Sequence, residues 1–123
     1  MKGVVVTTKN EARVQEFSRP LYESIGSVIG GYIEIVHPVG LPRPYLMVVN
    51  EEGLLNGLPH NAHGSLLYGT PEHGHPIVGD IVIMQEGWTD EGPDIVGLSD
   101  DDVGRIITLL SKQHILTVEE AAL

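Results

Sequence analysis

The chain has 123 residues, 41% of them hydrophobic, with no cysteine and a formal charge of −10 from 7 basic and 17 acidic side chains. That length suits one domain with one real core, and the missing cysteines exclude disulfides, thiolate nucleophiles and cysteine-ligated metals. The charge argues against direct nucleic-acid binding, which rests on phosphate neutralisation by Lys and Arg; no apolar run reaches the roughly 20 residues of a membrane span.

The opening Met1 to Thr8 is too short and too soon polar for a signal peptide, so a cytoplasmic location is expected. Gly3 to Thr8 is rich in β-branched residues and reads as a first strand, followed by a polar, ambiguous stretch from Asn10 to Phe17. Ser18-Arg19-Pro20 opens a helix whose apolar stripe is Leu21, Ile25, Val28 and Ile29, and Gly30-Gly31 stops it. Tyr32 to Val36 forms a second strand with Ile33 and Ile35 on one face, and Pro38, Pro42 and Pro44 enforce an extended connection. Tyr45 to Val49 is a third strand, which the turn residues Asn50 to Gly53 fold back as a hairpin onto a short partner at Leu54 and Leu55.

Asn61 caps a short helix through Ala62, Leu66, Leu67 and Tyr68, ended by Gly69, although Gly64 lowers its intrinsic propensity. Ile77 to Met84 has the length of a central strand, with Gly79-Asp80 marking a bulge or a close backbone approach. Gly87 to Gly97 reads as a loop carrying the only tryptophan, Trp88. Ser99 followed by Asp100, Asp101 and Asp102 is an N-cap with three acids in the first turn of a helix running to Lys112, whose buried face is Val103, Ile106, Ile107 and Leu110. Ile115 to Leu123 is compatible with a strand or with a second helix capped by Thr117 and Glu120. The order of elements predicts a single α+β domain over residues 1–123: a small mixed or antiparallel sheet with two or three helices packed mainly on one face.

Five of the six histidines fall between His37 and His75. On a helix His60 and His63 would share a face, on a strand His73 and His75 would share a side, and with Asp80 these four histidines could build a nitrogen-rich metal site for a hydrolase. The glycine- and proline-rich context and the missing His-Glu-x-x-His signature weigh against that alternative, so neither a metal nor a cofactor is expected. Ser65 has no nucleophile elbow around it and reads as a serine packed on the short helix, and neither glycine-rich phosphate signature occurs, which excludes a nucleoside triphosphatase or a Rossmann enzyme. A different constellation remains. Asn50, Asn56, His60, Asn61 and His63 line the turn-rich segment, amides can both donate and accept, and Tyr68, Trp88, Tyr45 and Tyr32 supply ring faces on which a base could stack.

The strings Gly30-Gly31-Tyr32-Ile33-Glu34, Val49 to Asn61, Leu67-Tyr68-Gly69 and Ile77-Val78-Gly79-Asp80-Ile81, in that order, resemble the domain of unknown function family 3846 over about residues 18–88. His63 and the run Glu72 to His75 depart from that pattern, and no role is carried onto them. The family's members recur in bacteriophages and their hosts; the resemblance implies an accessory protein aimed at host machinery or host defence and brings no reaction with it. In that setting the expected function is sequestration, without turnover, of a nucleotide-like small molecule by a pocket between Asn50 and Asp80 completed by Trp88, Tyr68 and Arg43, the last as a phosphate contact. A homo-oligomer is expected, because a chain this small makes a deeper pocket between subunits than within one. The alternative is an acidic inhibitor or DNA mimic that binds a host protein through Asp90, Glu91, Asp94 and Asp100 to Asp102.

Overall fold

Three strands at the centre of the sheet carry apolar segments, Val4 to Val6, Leu46 to Val49 and Ile81 to Met84, that send successive side chains to opposite sides. In β1 (Lys2–Val6), Val4 and Val6 face one core and Val5 the other; in β4 (Tyr45–Asn50), Met47 and Val49 oppose Leu46 and Val48; in β5 (Ile81–Thr89), Ile81 and Ile83 oppose Val82 and Met84. A strand covered on both faces must be apolar throughout, so these segments read as continuous hydrophobic runs rather than alternating ones. The computed structural model describes residues 1–113 and 116–117.

The remaining elements are β2 (Glu11–Glu16), α1 (Leu21–Ile29), β3 (Ile33–Val36), α2 (Ala62–Tyr68), α3 (Thr70–His73), β6 (Gly92–Val96), α4 (Asp100–Lys112) and β7 (Leu116–Thr117). The sheet order is β3-β4-β5-β1-β2-β7, antiparallel except for the parallel pairing of β7 with β2. The protein is therefore α+β with a mixed sheet. Leu21, Ile25 and Ile29 of α1 pack with Leu46, Val48, Val82 and Met84 on one side, while Leu67 of α2 and Ile106 and Leu110 of α4 pack with Val4, Met47 and Ile83 on the other. No helix among the described residues is long and apolar enough to cross a membrane.

Three local expectations change. The ambiguous stretch after Asn10 is β2, drawn into the sheet by pairing Val4 with Val14 and Val6 with Ala12. Leu54 and Leu55 do not return as a strand: residues 51–57 form turns in which both leucines are exposed, and the partners of β4 are β3 and β5. The supposed loop from Gly87 is a hairpin, because β5 runs on to Thr89 and pairs Trp88 with Pro93 and Thr89 with Gly92 of β6. On that flank β6 takes over from β1, with Val96 opposite Gln85 and Leu98 bridged to Lys2. The helix expected from Ser99 is present with a full capping box: the Asp102 amide donates to Ser99 Oγ, and the Ser99 amide donates to the Asp102 carboxylate. The strand-or-helix reading of the tail lies outside the described residues apart from β7.

Asn61 joins the separate pieces. It is fully buried. Its Nδ2 donates to the carbonyls of Val6 (3.0 Å) and Gly79 (2.9 Å), and its Oδ1 accepts the Gly64 amide (2.8 Å) as the N-cap of α2. Its own N–H donates to Ile77 O, and its carbonyl accepts the Ser65 amide. One side chain thus fastens the end of β1, the start of α2 and the approach to β5. The closeness explains two glycines: a Cβ on Gly64 would lie 3.0 Å from the Asn61 amide carbon, and Gly79 sits at φ +76° against Leu58. Replacing Asn61 with Ala orphans two buried carbonyls and one buried amide, and should cost about 3 kcal/mol of unfolding free energy. Urea unfolding checks this, with a lower midpoint and an unchanged slope as the expected outcome.

Candidate functional site

The amides proposed as ligand readers are not gathered into one place. Asn61 is engaged inside the fold on all three of its side-chain contacts. Asn50 is buried at the end of β4, where Nδ2 donates to Ile29 O and Oδ1 accepts the Glu52 amide (2.9 Å). Asn56 lies exposed on the turn between residues 51 and 57. Asp80 accepts the Thr8 amide at 3.0 Å, which ties the β1–β2 turn to the start of β5.

The histidines do not gather at one centre, although His73 and His75 share Tyr68 as a neighbour. His60 Nε2 is 3.2 Å from Ser65 Oγ, the residue types of a base and a nucleophile, but Ser65 is buried and its hydroxyl bridges both backbone groups of Ile77. The pair therefore holds the loop before β5. His63 Nδ1 is buried without a hydrogen-bond partner among the described residues. His73 stacks on Tyr68 with ring centroids 4.0 Å apart, and His75 Nε2 lies 3.0 Å from the Tyr68 hydroxyl. Among the described residues no three His, Asp or Glu side chains come together as a metal-ligand set, so His60, His63, His73 and His75 do not form the shared site that their spacing allowed.

Tyr68 and Tyr45 are likewise occupied. Burial pushes the Tyr68 hydroxyl above its ordinary value, and the charge of Glu34 adds to this. Tyr45 donates to Asp102 Oδ1 at 2.5 Å, an oxygen that Arg105 also reaches at 3.0 Å. The bond to Tyr45, then the one to Ser99, holds the Asp102 carboxyl below the ordinary carboxylate value, while the same carboxylate raises Tyr45.

The surface on the α1 side is different. A depression of about 590 Å³ is lined by Tyr22, Glu23, Gly26, Gly31, Tyr32 and Glu51. An adjoining one of about 610 Å³ shares Tyr22 and Ile33 with it, and runs between Arg19 at the start of α1 and Asp94 of β6 over Ile33 and Ile35. A third shares Ile35, Asp94 and Ile95 and leads past Glu86 to a fourth formed by Arg43, Pro44, Trp88 and Pro93. Tyr22, Tyr32, Ile35 and Trp88 are 66%, 76%, 45% and 83% exposed along this path. Large apolar side chains strung along one open depression are uncommon on a surface that meets only water. Arg43 lies here beside Trp88, paired with Glu86 at 3.3 Å. Tyr22 was missed by sequence reasoning, yet it falls one residue off the buried stripe Leu21-Ile25-Ile29, and that offset alone marks an aromatic ring turned outwards.

The fold and this face define a small α+β protein with an aromatic-edged open surface, in which the side chains of Asn50, Asn61 and Ser65 bond to backbone. The chain belongs to the family described as Domain of unknown function (DUF3846), matched over residues 1–111, so the match also takes in β1, β2 and α4. No curated protein and no solved structure matches the chain.

The Asp102 cluster has a pH signature. A carboxyl whose folded pKa is lowered contributes fully above its ordinary value of 3.8, and the contribution is lost as pH falls through the lower folded value. Asp102→Asn should destabilise the protein by about 1 kcal/mol at neutral pH through the weakened cap and bond to Tyr45. In urea unfolding against pH, the gap between wild type and variant should close below the ordinary carboxylate range.

Proposed function

We propose that the protein is a non-catalytic binding module that engages a basic polypeptide partner through the acidic β5–β6 hairpin and the aromatic depression behind it. The observation that carries this reading is Trp88, 83% exposed on the strand beside Asp90, Glu91 and Asp94. Tryptophan gains most from burial at an interface. A carboxylate cluster beside it supplies steering toward a positively charged partner without any bond making. Asp90 and Glu91 carry no ion pair among the described residues, whereas Asp100 is paired with Lys2 and Asp102 with Arg105. The outward-facing acid of the hairpin is therefore the better candidate for a partner.

The second reading is the nucleotide-like ligand, and the cleft lined by Tyr22 and Tyr32 favours it, since two exposed rings suit a planar base. Its difficulty is electrostatic. Glu23 and Glu51 flank that cleft, and Arg43 lies in a different depression, paired with Glu86. A phosphate there would meet like charge.

Affinity capture from bacterial lysate separates the two readings. The expected result is a polypeptide retained by the wild type, released by salt, and weakened by Trp88→Ala by about 2 kcal/mol, a factor of about thirty. The triple change Asp90→Asn, Glu91→Gln and Asp94→Asn should weaken it further at low salt and little at high salt. Heat release of an intact small molecule with no retained polypeptide, or retention indifferent to Trp88→Ala, would overturn the proposal.

A further inference from the structure

The sheet's edges are treated unequally. β2 is covered by the chain's own β7. Among the described residues β6 pairs with β5 alone, but it carries Pro93 and Asp94, a residue without a donor and a charge, both of which discourage strand addition. Among the described residues β3 pairs only with β4, and it carries neither proline, lysine nor bulge.

The phase of the β3–β4 ladder shows which backbone groups β3 leaves open. The Glu51 amide donates to Tyr32 O, and the register pairs Glu34 with Val49 and Val36 with Met47. Alternate residues of an antiparallel pair exchange hydrogen bonds. Tyr32, Glu34 and Val36 therefore bond to β4, and the N–H and C=O groups of Ile33, Ile35 and His37 point away from it.

We infer that this edge is the interface between two copies of the chain, with β3 pairing antiparallel to the partner's β3 about a two-fold axis at Ile35. Three constraints single out that register. The new ladder must be built from the outward groups of Ile33, Ile35 and His37. It cannot slide toward Gly31 or Val39, because the Gly31 amide already donates to Gly26 O and the Val39 amide to Tyr68 O. Centring on Glu34 would set that carboxylate directly against its own copy, which is unfavourable. Centred on Ile35, each Ile35 meets its copy, Ile33 meets His37, and Glu34 meets Val36. All outward groups from residue 33 to residue 37 find partners. Directly opposite residues of an antiparallel pair lie on the same face, so both α1 helices sit on one side of the joined sheet. The depression floored by Ile33 and Ile35 then becomes continuous across the axis. The pairing is independent of the Trp88 hairpin, which lies beyond the part of β5 that pairs with β4.

Sedimentation equilibrium of the full chain over a wide concentration range tests the inference, and a mass of two chains is expected. Ile35→Pro removes an outward donor that makes no bond to β4, so the variant should keep the wild-type circular dichroism and fall to the mass of one chain. Because the sequence contains no cysteine, single cysteines report the register. Ile35→Cys should oxidise rapidly to a covalent dimer, since opposed Cα atoms lie about 5.5 Å apart, and Ile33→Cys should not, because it faces His37. A wild type of one-chain mass at every concentration, a dimer indifferent to Ile35→Pro, or equal cross-linking at positions 33 and 35 would each overturn the inference. Partner capture through Trp88 in a monomeric protein would leave the hairpin reading standing and remove only the pairing.

Discussion

The fold turns on the burial of one amide. Asn61 is the point at which the first strand, the second helix and the approach to the central strand are held in one place, and every polar atom of its side chain is matched by backbone. An amide can do this where a carboxylate or an alkyl group cannot, because it presents two donors and an acceptor in one plane without charge. Around it the chain has adapted in detail: Gly64 leaves room for the cap, Gly79 takes a left-handed turn against Leu58, and Ser65 clasps Ile77 from both sides. The strings from Leu58 to Asn61 and from Ile77 to Asp80 meet here, through the Asn61 amide on Ile77 O, the Gly79 amide on Pro59 O and the Asn61 side chain on Gly79 O. These segments carry much of the family resemblance, so what they encode most directly is this junction.

The elements with strong local signals were legible. The stripe Leu21-Ile25-Ile29 with its Gly30 stop, the Asn61 cap and the Ser99-to-Asp102 helix start all follow from spacing and capping within a single turn. The misreadings have one cause, which is that pairing between strands is not local. Nothing near Glu11 announces that Val4 and Val6 will draw it into the sheet, and nothing near Leu54 shows that β3 and β5 already occupy both flanks of β4. The hairpin at Trp88 was hidden by its glycines, which look like loop until Gly92 is seen to take a positive φ as the first residue of β6, paired with Thr89.

The expected site was less legible than the fold for a related reason. Asparagine and histidine make the same hydrogen bonds to a ligand as to a distant carbonyl, and sequence does not say which will be within reach. Asn50, Asn61 and the His60–Ser65 pair found backbone; Trp88 and Tyr32, with no polar obligation inside, stayed at the surface. Exposed apolar side chains are a better guide to a contact surface here than polar residues gathered by sequence number.

β5 is shared between two constructions. Its first half is clamped between β1 and β4 with its side chains in both cores, and beyond Glu86 it has only β6 for company. A two-stranded ribbon twists more readily than a wide sheet and is marginally stable by itself. The tip is therefore held by fewer hydrogen bonds than the root, and amide hydrogens near Trp88 should exchange with solvent long before those near Val82.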